Sequence, residues 1–325
     1  METLAIRVHQ PGGPEVMRLE SVVVPELAPH EVLLRHTAIG VNFIDCYHRS
    51  GLYPLNSPFT PGTEAAGVVE AVGAHVGTVR VGERVAYCGQ PLGAYAERRV
   101  YPADRLVSIP EGVSDAVAAA VMLQGMTAHY LLFKLRSFNP GETVLVHAAA
   151  GGVGLLLCQW ARLLGLKVIG TVSTESKAVL ALDHGCTHVL IHGQQPLVPA
   201  VKALTHDEGV SAVFDSVGRD TFIASLDCLK VRGLMVSFGQ SSGPVPPFEV
   251  SALQHRGSLS LTRPVLHHFI HTRQELQETA FEVFSMVQRG LLKVGIHQSF
   301  PLEKAVEAHR ALEGRLTTGK TLLTC

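Results

Sequence analysis

The chain has 325 residues, 46% of them apolar and 17% charged, with a formal net charge of -1. That length favours two domains over one core, and the composition gives each ample apolar material. Near-neutral charge argues against a nucleic-acid backbone or an anionic membrane as the main partner. The start, Met1-Glu-Thr-Leu-Ala-Ile-Arg7, lacks the basic region and apolar run of a signal peptide. No apolar stretch reads as a bilayer span, so no membrane partner and a cytoplasmic location are expected. Six cysteines (46, 88, 158, 186, 228 and 325) form no CxxC pair. In a reducing compartment they are expected as free, buried thiols.

The first third reads as short β-rich pieces at 4–8, 32–38, 66–72 and 84–86, punctuated by Pro11-Gly-Gly-Pro14, Gly51, Pro61-Gly62 and Gly73. This predicts an irregular, mainly antiparallel β domain. At Ser114 a capping residue precedes the apolar helix Ser114-Asp-Ala-Val-Ala-Ala-Ala-Val-Met122.

From Gly141 the pattern alternates. A strand at 143–147 is followed by a helix at 153–164, the strand Lys167–Val172, a helix at 177–184 and the strand His188–Ile191. Strand signals at 212–214 and 234–238 come next. Strands spaced by helices predict a parallel sheet covered on both faces. Beyond Pro264 the chain predicts amphipathic helices at 272–289 and 301–313 and a last strand at 320–323. The simplest architecture is α/β: a doubly wound nucleotide-binding domain, 124–264, inserted into a catalytic domain made of 1–123 and 265–325.

The run His147-Ala-Ala-Ala-Gly-Gly-Val-Gly154 lies between a strand and a helix, where a phosphate-binding turn belongs. Gly151 and Gly154 allow close backbone approach, and the helix N-terminus offers free N–H groups and a positive dipole end. Ala148 stands where the first glycine is usual. A glycine-rich turn can also serve packing alone, but the strand, helix and second strand around this one favour a Rossmann dinucleotide site. Folds that prefer NAD carry an acid about 20 residues on, at the end of the second strand. Here that end reads Ser173-Thr-Glu-Ser-Lys177, where Ser173 and Lys177 suit a 2′-phosphate and so NADPH. Glu175 is expected to point to solvent.

Longer blocks carry a family resemblance. They are Val41-Asn-Phe-Ile-Asp-Cys-Tyr-His-Arg-Ser-Gly-Leu-Tyr-Pro54, Pro61-Gly-Thr-Glu-Ala-Ala-Gly-Val-Val69, Ala71-Val-Gly73, Gly82-Glu-Arg-Val85, Gly93-Ala-Tyr-Ala-Glu97 and Gln124-Gly-Met-Thr-Ala128. The nucleotide-binding half adds Phe214-Asp-Ser-Val-Gly218 and Gly233-Leu-Met-Val-Ser-Phe-Gly-Gln240. In this order they resemble the zinc-free medium-chain dehydrogenase/reductases of the NADPH:quinone oxidoreductase (ζ-crystallin-like) branch, close to the bacterial enzymes.

The resemblance implies a Rossmann domain inserted in a GroES-like catalytic domain, with NADPH and a quinone in the cleft between them. It implies that Asn42, Tyr47 and Tyr53 reach from the catalytic domain towards the nicotinamide as the catalytic residues, Asn42 and Tyr53 orienting nicotinamide and substrate, joined by Thr127 and Tyr130 at the domain border. Gly151, Gly152, Val153 and Gly154 would meet the pyrophosphate, and Ser173 and Lys177 the adenosine phosphate. Ser216, Phe238, Gly239, Gln240 and Ser241 would line the nicotinamide half. Arg315 would reach the adenine side. His192 stands where relatives often have tyrosine; imidazole can stack there or meet the 2′-phosphate.

Zinc enzymes of the superfamily use an early cysteine and a Gly-His-Glu histidine. Here those positions fall at or near Asn42 and at Gly62-Thr-Glu64, and no cysteine lies between Cys88 and Cys158. No metal is therefore expected, and Cys46 and Asp45 read as structural. On a helix His267 and His271 share a face, which reads as a solvated polar surface. Without a Lewis acid, hydride delivery to a conjugated carbonyl is favoured over alcohol chemistry. Three functions are carried forward: reduction of quinones by NADPH, reduction of the C=C bond of enals or enones, and a cofactor-binding RNA-binding or structural role, which the lack of a basic, aromatic-laced run disfavours. The strand-like Ser258-Leu-Ser-Leu-Thr262 suggests a sheet edge that pairs with its copy in a homodimer.

Overall fold

The computed structural model describes residues 1–325. In chain order the elements are β1 (Glu2–Val8), β2 (Met17–Val23), β3 (Glu31–Val41), α1 (Phe43–Ser50), β4 (Glu64–Val72), β5 (Arg84–Cys88), β6 (Arg98–Pro102), β7 (Val107–Ser108) and α2 (Asp115–Phe133). Then come β8 (Thr143–Val146), α3 (Gly152–Leu163), β9 (Lys167–Val172), α4 (Glu175–Asp183), β10 (His188–Ile191), α5 (Leu197–Leu204), β11 (Val210–Asp215), α6 (Phe222–Asp227) and β12 (Leu229–Ser237). The chain ends with α7 (Ser251–His255), β13 (Ser260–Thr262), α8 (Arg273–Gln288), β14 (Ile296–Pro301), α9 (Ala305–Glu313) and β15 (Lys320–Thr324). It divides into two units, Met1–Met126 with Ile270–Cys325, and Thr127–Phe269.

The first unit holds the two-stranded sheet β1-β2 and a seven-stranded sheet of order β14-β15-β3-β4-β5-β7, with β6 also on β3. All its pairings are antiparallel except β14 with β15, which α9 joins by a crossover, and β15 pairs β3 from the far end of the chain. Its core gathers Ile6, Val32, Leu34, Ile39, Val69 and Tyr95 with Leu302 and Leu323, which knits both ends of the chain together.

The second unit is a six-stranded, all-parallel sheet of order β10-β9-β8-β11-β12-β13. Its central strands are apolar runs buried on both faces; every residue of β11 is buried. That is the pattern of a sheet covered by helices on two sides. The order is that of a doubly wound Rossmann sheet.

Two sequence expectations change. The helix after Ser114 runs on to Phe133, and α2 is by length and composition apolar enough to cross a membrane, contrary to the sequence reading. Most of it is buried inside the fold, as expected of a core helix apolar on all sides. His267 and His271 share no helical face, because only a single 3-10 turn forms, over Leu266–His268.

Candidate functional site

In the second unit the strand order turns between β8 and β11, and the carboxyl ends of these two strands define the crevice where such sheets bind ligands. The turn after β8 is built for close approach. Gly151 N–H donates to the Ala148 carbonyl at 2.9 Å, and Leu155 N–H donates to Gly151 at 2.9 Å to start α3. Gly151 caps α3 in extended backbone, with no side-chain cap and no acid in the first turn. The first N–H groups of α3 have no intrahelical acceptor, so they and the helix dipole favour an anion there. Gly151, Gly152 and Val153 are half-buried, whereas Gly154 is buried. A Cβ on Gly154 would lie 2.3 Å from the Ala148 oxygen and 2.8 Å from the Ala149 Cα. Ala148 itself has φ +51°, the left-handed region usually left to glycine, at a cost of about 1–2 kcal/mol.

Buried polar contacts hold this turn. His147 places Nδ1 2.9 Å from Thr171 Oγ1 and Nε2 2.9 Å from Ser225 Oγ. Burial pushes its pKa down, so it stays a neutral link between β8, β9 and α6. Asp215, at the end of β11, accepts from Val217 N–H at 2.7 Å and Gly218 N–H at 3.1 Å through one oxygen, and from Thr221 Oγ1 at 2.8 Å through the other. This folds Ser216 against the end of β12: Ser241 N–H donates to the Ser216 carbonyl at 3.1 Å, and Phe238 N–H to Asp215 at 2.9 Å. Ser216, Phe238, Gly239, Gln240 and Ser241 thus form one half-buried surface beside the glycine turn. Thr127 and Tyr130 are buried on the second unit's part of α2, and Tyr130 stacks on Phe269 with centroids 4.4 Å apart.

The ends of β9 and β10 bring Ser173, Lys177 and His192 to the same edge of the sheet. Ser173 and His192 are exposed and Lys177 half-buried. His192 N–H donates to the Val172 carbonyl at 2.9 Å, and Thr174 caps α4 by accepting from Lys177 N–H. Glu175 is exposed, as expected, and its carboxylate accepts from Gln194 Nε2 at 2.7 Å on the surface.

In the first unit α1 places the other sequence-predicted residues. Asn42 is its N-cap, in a reciprocal capping box with Asp45. The Asn42 side chain is buried, and all its polar atoms are engaged. Nδ2 donates to Glu64 at 2.8 Å and to the Gly40 carbonyl at 3.3 Å; Oδ1 accepts from Lys320 Nζ at 2.8 Å and Gln124 Nε2 at 3.4 Å. Lys320 also pairs with the fully buried Glu64. The helix stops at Gly51, and the turn beyond returns Tyr53 N–H to the Tyr47 carbonyl at 3.1 Å. The two tyrosine rings meet edge-on, 5.1 Å apart, with Tyr47 buried and Tyr53 half-buried. Arg315 is exposed just past α9, at φ +58°.

Behind α1 lies a second buried network. Asp45 accepts from Thr63 Oγ1 and Tyr95 Oη, both at 3.1 Å, and Tyr95 Oη lies 2.9 Å from His309 Nε2. Burial outweighs these donors and pushes the Asp45 carboxyl up to about 7, while it pushes His309 down to about 3. Lys320, Glu64, Thr171, Ser225 and the role of Asp215 went unread in the sequence. The only signal was that Glu64 opens and Asp215 closes a largely apolar strand. No group of three or more His, Cys, Asp or Glu side chains stands close enough to hold a metal ion.

Comparison with known proteins agrees with both halves. Residues 28–111 match the model described as alcohol dehydrogenase GroES-like domain, and residues 152–284 that described as zinc-binding dehydrogenase. The chain is 48% identical over 321 residues to the quinone oxidoreductase of Salmonella typhimurium, covering 98% of each. It is 45% identical over 327 residues to a 2-haloacrylate reductase of Burkholderia, again covering 98% of each. The structure of Escherichia coli quinone oxidoreductase complexed with NADPH superposes with a TM-score of 0.97 at 46% identity, covering 99% of this chain and 100% of that one. A GroES-like half, a Rossmann half with its glycine turn, and nearly full-length identity place the chain in one group: it belongs to the quinone oxidoreductase family of medium-chain dehydrogenase/reductases.

Proposed function

We propose that this protein is a zinc-independent, NADPH-dependent quinone oxidoreductase. The observation that carries the reading is the crevice at the ends of β8 and β11, in a chain nearly half identical to a quinone oxidoreductase whose structure holds NADPH. The turn fits that cofactor: Gly154 has no side chain to hold it off α3, so it closes on the helix and leaves the half-buried Gly151, Gly152 and Val153 to meet the pyrophosphate.

When bound, NADPH supplies a hydride. The chain's own residues bind and orient. Gly151, Gly152, Val153 and Gly154 present α3's free N–H groups to the pyrophosphate. Ser173, Lys177 and His192 meet the 2′-phosphate, with Glu175 turned to Gln194 and so removed from competition. Ser216 and the 238–241 surface seat the nicotinamide half, bordered by Thr127 and Tyr130; Arg315 is the proposed adenine contact. Tyr47 and Tyr53 form an edge-on pair that orients the substrate carbonyl, and Asn42 fixes the start of α1 that carries them. Saturation kinetics with NADPH and NADH against small quinones test the reading.

The likeness to a 2-haloacrylate reductase favours a second reading, reduction of a conjugated C=C bond. The same hydride delivery serves both, and a panel of quinones and alkenals separates them. β13 is the edge strand of its sheet. We further propose a cytoplasmic homodimer that pairs this edge with its copy, which light scattering tests.

A further inference from the structure

Two cysteines that the proposed catalysis does not use meet inside the second unit. Cys186 Sγ lies 3.5 Å from Cys158 Sγ. Cys158 sits in the middle of α3, fully buried; Cys186 follows α4 and is 7% exposed. No disulfide joins them.

The surrounding backbone makes room for the pair. Gly170 of β9 faces it, and a Cβ there would lie 2.6 Å from Cys186 Sγ. Gly185, at φ +107°, brings the chain so close to α3 that a Cβ would lie 2.7 Å from the Cys158 carbonyl oxygen. Two glycines on separate elements thus admit the contact between the sulfurs. A disulfide needs the two sulfurs to close to about 2.05 Å.

We propose that Cys158 and Cys186 are a modification site, a buried dithiol that a hydroperoxide converts reversibly to a disulfide. In the first step the better exposed Cys186 thiol attacks the peroxide, the O–O bond breaks, and sulfenic acid and water (or an alcohol) form. In the second, Cys158 attacks the Cys186 sulfur, the S–S bond forms, and water leaves with the Cys158 proton. Two thiols lose two electrons in all, and the peroxide gains them. The contact with Cys186 and burial hold the Cys158 thiol well above the usual range, so the second step is slow. The bridge closes a loop over residues 158–186, which contains β9, α4 and the segment from Ser173 to Lys177.

The test treats the native full-length protein with hydrogen peroxide, quenches with iodoacetamide and maps peptides without reduction. We expect a linked peptide pair containing Cys158 and Cys186, a mass lower by 2 Da, loss of two of the six thiols, and restoration by dithiothreitol. A Tm higher by several degrees and slower amide exchange over 173–186 accompany it. In Cys158→Ser the cross-link is lost and Cys186 is instead trapped by dimedone as sulfenic acid. A linked pair that forms only after unfolding, or oxidation of Cys186 to sulfinic acid with Cys158 left as thiol, contradicts the proposal.

Discussion

Lys320 Nζ donates to the amide oxygen of Asn42 at 2.8 Å, with both side chains out of solvent. The bond ties the last strand of the chain to the start of α1, and its ammonium also neutralises the buried Glu64 carboxylate. Breaking such a pair by removing one partner leaves an uncompensated charge and costs about 3–5 kcal/mol. Lys320→Met is therefore expected to unfold at markedly lower urea concentration. Adding Glu64→Gln to Lys320→Met should recover a substantial part of the loss. Additive effects in urea unfolding of the two single variants and the double variant contradict a coupled pair.

Gly154→Ala places a methyl 2.3 Å from a backbone oxygen that cannot move without opening the turn. NADPH affinity, read by fluorescence titration, is expected to fall at least tenfold, roughly 1.4 kcal/mol or more. Ala148→Gly is the control. It relieves left-handed strain of about 1–2 kcal/mol and adds unfolded-chain entropy of about 0.5–1 kcal/mol, so stability changes little and binding is retained. Equal losses of affinity in both variants contradict the proposed role of the turn.

Lys177→Ala removes a cation from the edge proposed for the 2′-phosphate. It should lower kcat/KM for NADPH several-fold and leave that for NADH nearly unchanged. A uniform loss with both nucleotides assigns Lys177 to structure instead. Tyr53→Phe and Asn42→Ala are each expected to lower quinone turnover several-fold; Asn42→Ala should also destabilise, by about 1–3 kcal/mol, because it strips partners from Lys320 and Gln124.

The Asp45 carboxyl gives a pH signature. Burial raises its pKa from 3.8 to about 7. A raised folded-state pKa means that the native chain holds a proton the unfolded chain gives up. Its stabilising contribution is full below the unfolded value and is lost as pH climbs to about 7. Asp45→Asn lacks this dependence. The Tm of wild type relative to Asp45→Asn should therefore fall as pH rises from 3.8 to about 7; a pH-independent difference rules out titration of Asp45 in that window.

What the sequence made legible was local. The turn at 147–154 is a strand, a glycine pattern and a helix in continuous order, so the Rossmann sheet could be read around it. The segment Ser114–Met122 carries a cap at its start and no stop signal at its end, and the apolar composition of α2 continues to Phe133. β14 is hidden because Ile296-His-Gln-Ser-Phe-Pro301 holds only two strongly apolar residues and ends on a proline. The partners of Asn42 were illegible for a different reason. Glu64 is 22 residues away and Lys320 is 278, and nothing in either local pattern points to the other. His147 heads the glycine turn, yet its two ring nitrogens are spent on Thr171 and Ser225, which only the folded sheet brings near.

The most direct test of the central claim is NADPH oxidation by the purified protein with 1,4-benzoquinone and 1,4-naphthoquinone, run beside NADH and with a chelator present. The account predicts quinone-dependent turnover that survives chelation, with kcat/KM for NADPH at least tenfold above that for NADH. Absence of quinone-dependent turnover, or a preference for NADH, contradicts it.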